Sequence, residues 1–97
     1  MTDTSATWIS ADEVFARVSF GAAIRAIQRD LTAGIDPTRD FARSVHSVNH
    51  GQLLLMPAQS SDFVGVKVLT VAPGNPALGK AMIQAVYLLM DAATLSP

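Results

Sequence analysis

A chain of 97 residues supports one domain, and a domain this short leaves a large share of its surface wet, so modest intrinsic stability is expected. A formal net charge of -1 and the absence of any basic run give no field to attract nucleic acid or an anionic membrane, which argues against both as partners. With 49% apolar and only 15% charged residues, the chain carries an excess of apolar surface, which predicts burial against a partner, and a homo-oligomer is expected.

The chain has no cysteine, so it has no disulfide framework, no thiolate nucleophile and no thiolate metal site. Residues 1–7 are polar and contain no Lys or Arg, unlike a signal peptide, and no apolar run is long enough to span a bilayer. A cytoplasmic location is therefore expected. Disorder is expected only at residues 1–6.

Ser10-Ala11-Asp12-Glu13 fits a capping box, in which the serine hydroxyl accepts an amide hydrogen bond and the glutamate reaches back to the cap. A short helix is predicted from there, with Val14, Phe15 and Val18 as its apolar stripe. Ser19 is positioned to cap a second helix, in which Ala23, Ile24, Ile27 and Leu31 recur at helical spacing, and Gly34 ends it. Gly34-Ile35-Asp36-Pro37 then marks a change to extended structure.

Residues 42–48 and 52–56 read as a hairpin around the turn signal Asn49-His50-Gly51. Residues 63–71 are the clearest strand, with Val64, Val66, Val68 and Thr70 on one side and Gly65, Lys67, Leu69 and Val71 on the other. Pro73-Gly74-Asn75-Pro76 is a turn cluster. Residues 81–92 are apolar enough to be a buried strand or a buried helix, and neither periodicity nor propensity decides between them.

Residues 74–81 nearly spell a phosphate-cradling loop, but Ala81 stands where the motif needs a hydroxyl for magnesium, and Pro76 lacks a backbone donor. A hairpin connection is the better reading. His46 and His50 are spaced for a helical metal pair, yet Ser47, Val48 and Asn49 between them read as strand and turn, so no metal site is expected. Neither a nucleophile elbow nor G-x-G-x-x-G is present.

Arg43 opens an apolar hairpin and Lys67 lies in a valine-rich strand, so each would incur a large desolvation cost without an anion. A ligand carboxylate answers that need, with the arginine forming two parallel hydrogen bonds and the lysine adding a point charge. An ion pair with Asp40, Asp62 or Asp91, or a lysine that snorkels to water, answers it too, and from residue types alone is the favoured reading.

The order of Arg43, the block L-L-L-M-P-A (Leu53 to Ala58), the strand G-V-K-V-L-T-V (Gly65 to Val71) and A-V-Y-L-L-M-D (Ala85 to Asp91) resembles the start of the ornithine cyclodeaminase and mu-crystallin family. From Arg43 to Lys67 the likeness runs without a gap, and a weaker likeness of residues 9–34 to the family's two opening helices extends it over most of the chain.

The resemblance implies a substrate-binding role for Arg43 and Lys67, which match the residues that hold the substrate carboxylate. It also implies that residues 81–92 form a strand. The fold class expected is α+β: two N-terminal helices packed on a mostly antiparallel sheet, with residues 1–97 as the N-terminal part of a substrate-binding and dimerisation domain, incomplete and without the Rossmann domain. The implied activity is that of an NAD(P)-dependent amino acid or imino acid oxidoreductase or cyclodeaminase, such as a ketimine reductase or alanine dehydrogenase, acting on a small amino, imino or keto acid. NAD or NADP is the implied cofactor, not bindable by this chain alone, so the chain is expected to be inactive alone, with no catalytic residue of its own. The alternative is a non-enzymatic small-carboxylate binder or dimerisation module.

Three positions depart from the family's pattern. Leu54 stands where ornithine-specific members have an acidic residue, Met82 where relatives often have a threonine near the cofactor, and Leu95 where a T-G-x-P turn has its glycine. The first argues against a diamino acid substrate, and the other two bring cofactor docking and the final turn into question.

Overall fold

Serine caps set the start of both helices. The computed structural model of the chain describes residues 6–97, so most of the segment expected to be disordered lies outside the described residues. These residues form two units, one ending at Arg39 and one spanning Asp40–Pro97.

In the first unit, helix α1 (Ala11–Arg17) begins where Ser10 Oγ accepts the Glu13 amide at 3.2 Å, and the same hydroxyl meets Glu13 Oε1 at 3.4 Å. Half of the expected capping box therefore forms, since the glutamate accepts from the serine hydroxyl rather than from the cap's backbone amide. Ser19 Oγ accepts the Ala22 amide at 3.0 Å and opens α2 (Phe20–Thr32).

Gly34, at φ 106°, closes α2: its amide donates to the Leu31 carbonyl while the Ile35 amide donates to Asp30. Those two bonds satisfy carbonyls that the helix end would otherwise leave bare. Phe15 and Phe20 meet edge to face, their ring centroids 6.3 Å apart. A 3-10 turn (Pro37–Arg39) follows, where the sequence suggested the chain would pass straight into extended structure. Asp36 causes it: its carboxylate accepts both the Thr38 hydroxyl and the Thr38 amide, and these two bonds hold the carboxyl below the ordinary range.

The second unit is a four-stranded antiparallel sheet in the order β1 (Ser44–Val48), β2 (Gly51–Gln59), β3 (Phe63–Val71), β4 (Ile83–Asp91). The open choice at residues 81–92 resolves as strand. Two helices and an antiparallel sheet make the class α+β. Among the described residues no apolar side chain is fully buried, and the inner strands β2 and β3 are half-buried while β4 is largely exposed.

Strand β2 runs three residues beyond the apolar block that marks it in the sequence, through the Met56-Pro57 step. A proline is tolerated in a strand where its nitrogen points away from a ladder bond. Pairing with β1 ends at Ser44 opposite Leu55, so that side of Pro57 has no β1 residue to bond. At the hairpin, an added Cβ on Gly51 would overlap the Val71 carbonyl and lie 3.2 Å from the Ala72 Cα, so the turn requires glycine.

The final turn forms without its glycine. Asp91 anchors it by accepting the amides of Thr94 and Ala93 and the Thr94 hydroxyl, with the Thr94 amide contributing most to holding the carboxyl below its ordinary range. Leu95 takes φ 57° there, the left-handed conformation that glycine adopts freely. An L-residue is strained in that region by about 1 to 2 kcal/mol. Leu95 is 61% exposed and has little packing to lose. Leu95→Gly is therefore expected to raise stability by about 0.5 to 1 kcal/mol after the extra chain entropy of glycine is subtracted. A urea unfolding midpoint that falls in the variant would contradict this reading of the turn.

Candidate functional site

Pairing register decides which side chains meet on the sheet. Met56 lies opposite Lys67, and Lys67 lies opposite Tyr87, so the three form one row across β2, β3 and β4. Opposite residues in a sheet point to the same face. Arg43 directly precedes Ser44, which pairs with Leu55, so continuing that register sets Arg43 at the level of Met56.

The row lines an open cleft of about 340 Å³, whose wall includes Arg43, Lys67 and Tyr87 together with Asp40, Phe41 and Met56. Both cations singled out in the sequence thus reach one cleft. Of the three aspartates considered as partners, Asp40 lines the cleft, whereas Asp91 uses its carboxylate in the last turn. Chemically, the arrangement offers two cations and one carboxylate beside aromatic and apolar surface, a net positive charge that suits a small organic anion.

Tyr87 is the feature that sequence reasoning missed. Gly65, the single fully buried residue among those described, lies diagonally across from it. A Cβ on Gly65 would come within 2.6 Å of Tyr87 Cε1 and 2.8 Å of Cζ, so the ring rests on bare glycine backbone. A glycine inside a valine-rich strand was the available signal, since such a residue often marks a close approach by another group. The ring also borders a second cleft of about 250 Å³ on the same sheet face, together with Ala58, Phe63, Gly65 and Leu89.

The two histidines occupy different surroundings. His46 pairs with Leu53 inside β1, one residue out of step with the face that carries Val45 and Lys67, while His50 sits in the hairpin turn beside Ala72 and Asn75. No group of three His, Cys, Asp or Glu able to hold a metal ion occurs among the described residues.

Residues 74–81 adopt a 3-10 turn, Pro76–Leu78, ended by Gly79 at φ 72° and braced by the Asn75 amide nitrogen donating to the Ala81 carbonyl at 3.0 Å. β4 follows rather than a helix. A phosphate-binding loop needs amides that converge at a helix start, so this segment does not fit a nucleotide. No described helix is long and apolar enough to cross a membrane.

No family model and no curated protein matches the chain. Among solved structures, it is similar to an archaeal alanine dehydrogenase dimer with bound NAD, at 25% sequence identity and a TM-score of 0.75. The match covers 90% of this chain and 28% of that one, so the chain spans less than a third of that protein's length. The chain thus has a dehydrogenase-related fold, corresponding to one portion of that enzyme.

Proposed function

We propose that this chain is the acid-binding portion of an NAD(P)-dependent amino acid or imino acid oxidoreductase of the ornithine cyclodeaminase and mu-crystallin kind. The observation that carries the reading is the convergence of Arg43 and Lys67 on one cleft in a fold shared with part of an alanine dehydrogenase. Arg43 grips the carboxylate of a small amino, imino or keto acid with two hydrogen bonds, and Lys67 adds its charge from β3, across β2.

Fixing the carboxylate orients the acid's α-carbon, and this positioning is the chain's contribution to rate. Leu54, on the same face as Lys67 through its pairing with Leu69, offers no charge to a distal amine, so a monoamino or keto acid is the better ligand. Hydride transfer in this reading draws on a nicotinamide cofactor, NAD or NADP, as the likeness to the ornithine cyclodeaminase and mu-crystallin family implies.

Arg43→Ala and Lys67→Ala are each expected to weaken pyruvate or proline binding by roughly tenfold to a hundredfold, the equivalent of one charge-assisted contact. Calorimetry on the wild-type chain and both variants, with circular dichroism to confirm folding, is the test. Unchanged binding in both variants would refute the carboxylate site.

A second reading, a dimerisation module, rests on a separate observation. Strand β4 is nine residues long, lies at the sheet edge and exposes Ile83, Val86, Tyr87, Leu88 and Leu89. Long apolar edges favour pairing with another chain. Sedimentation at micromolar concentration is expected to show a dimer or larger species, and an ideal monomer would count against this reading.

A further inference from the structure

The two clefts beside Tyr87 make one divided site. They share Ala58 and Tyr87, so they abut along a line where a small side chain forms the floor and an aromatic ring forms the wall. One side is cationic, through Arg43 and Lys67. The other is bordered by the apolar side chains of Phe63 and Leu89, with Gly65 at its base and Gln59 and Ser60 at its end.

The floor between them is low because Ala58 pairs directly with Gly65, two of the smallest residues placed opposite each other in adjacent strands. Tyr87 is fixed over that glycine by the absence of a Cβ, since any larger residue there would meet the ring. The same ring lies opposite Lys67, and so stands next to where a bound carboxylate would be held.

We infer that the cleft of Ala58, Phe63, Gly65 and Leu89 is a side-chain subsite, and that Tyr87 is the specificity-determining residue between it and the carboxylate site. This inference rests on the proposed acid-binding role of Arg43 and Lys67 and adds the substrate class: 2-amino or 2-oxo acids with a branched aliphatic or aromatic side chain. An acid of this class anchors its carboxylate at the two cations and lays its side chain past the Tyr87 ring onto the small-residue floor. A charged side chain would lose hydration against Phe63 and Leu89 and meet only Gln59 and the Ser60 hydroxyl, which already accepts the Phe63 amide, in return. Hydrophobic contact discriminates by roughly tenfold or more per methylene, so the preference over pyruvate is measurable in equilibrium binding.

Calorimetry with pyruvate and 4-methyl-2-oxopentanoate on the whole chain tests this. The wild type is expected to bind the branched acid at least about tenfold more tightly. Tyr87→Ala is expected to erase that preference, and Tyr87→Phe to keep it because the ring remains. Phe63→Ser provides a second variant in case removing the ring from Gly65 disturbs the sheet, since Phe63 is 48% exposed, and it should lower affinity for the branched acid alone.

Equal affinity of the wild type for both acids would overturn the subsite and leave the carboxylate site standing. So would an equal loss for both acids in Tyr87→Ala and Phe63→Ser, which is what a purely structural role predicts. Failure of the wild type to bind either acid, or binding that survives both Arg43→Ala and Lys67→Ala, would instead overturn the acid-binding reading and the subsite with it.

Discussion

The register of β2, β3 and β4 is the constraint on which the site depends. Side chains alternate between faces along a strand, so a slip of one residue would carry Lys67 to the face of Val66 and Val68 and away from Met56 and Tyr87. Two local features fix the register. Gly51 admits the Val71 backbone at the hairpin, and the bare backbone of Gly65 accepts the Tyr87 ring. Each glycine sits where a Cβ would force strands apart, and each therefore ties sequence to pairing more strongly than the surrounding valines and leucines can.

Exposure of the apolar surface links the fold to its use. The sheet unit spreads its apolar side chains over two faces and an edge, and among the described residues none is fully buried. In the cleft Arg43 is exposed and Lys67 half-buried, and Asp40 supplies one negative charge against their two positive ones. A bound carboxylate balances the second, and because it binds only the folded sheet it should also stabilise it.

Much of the architecture was legible in the residues because local chemistry decided it. Ser10 and Ser19 as caps, Gly34 as a helix stop and Asn49-His50-Gly51 as a turn each act through one or two hydrogen bonds or a single backbone angle. Residues 81–92 were ambiguous for the opposite reason, since their strand state depends on pairing with β3, which no window of sequence contains. The turn at Pro37 escaped notice because the Asp36 side chain, rather than the proline, sets its shape. The left-handed Leu95 shows that a turn held by Asp91 can form even with an unfavourable residue in it.

The site divides in the same way. Arg43 and Lys67 stand out as cations in apolar surroundings, but residue types alone favour a salt bridge or a solvated lysine over a ligand, and only their shared cleft brings them together. Tyr87 reads as an ordinary strand residue until the cross-strand geometry sets its ring on Gly65. The most direct measurement is an amide chemical-shift titration of the isotopically labelled chain with a small 2-oxo acid. Saturable shifts centred on Met56, Lys67 and Tyr87 and on the Arg43 guanidinium, with His50 and Ala72 unmoved, are the result expected. No saturable shift at Lys67, or shifts centred on the cleft beside His50, would contradict the account.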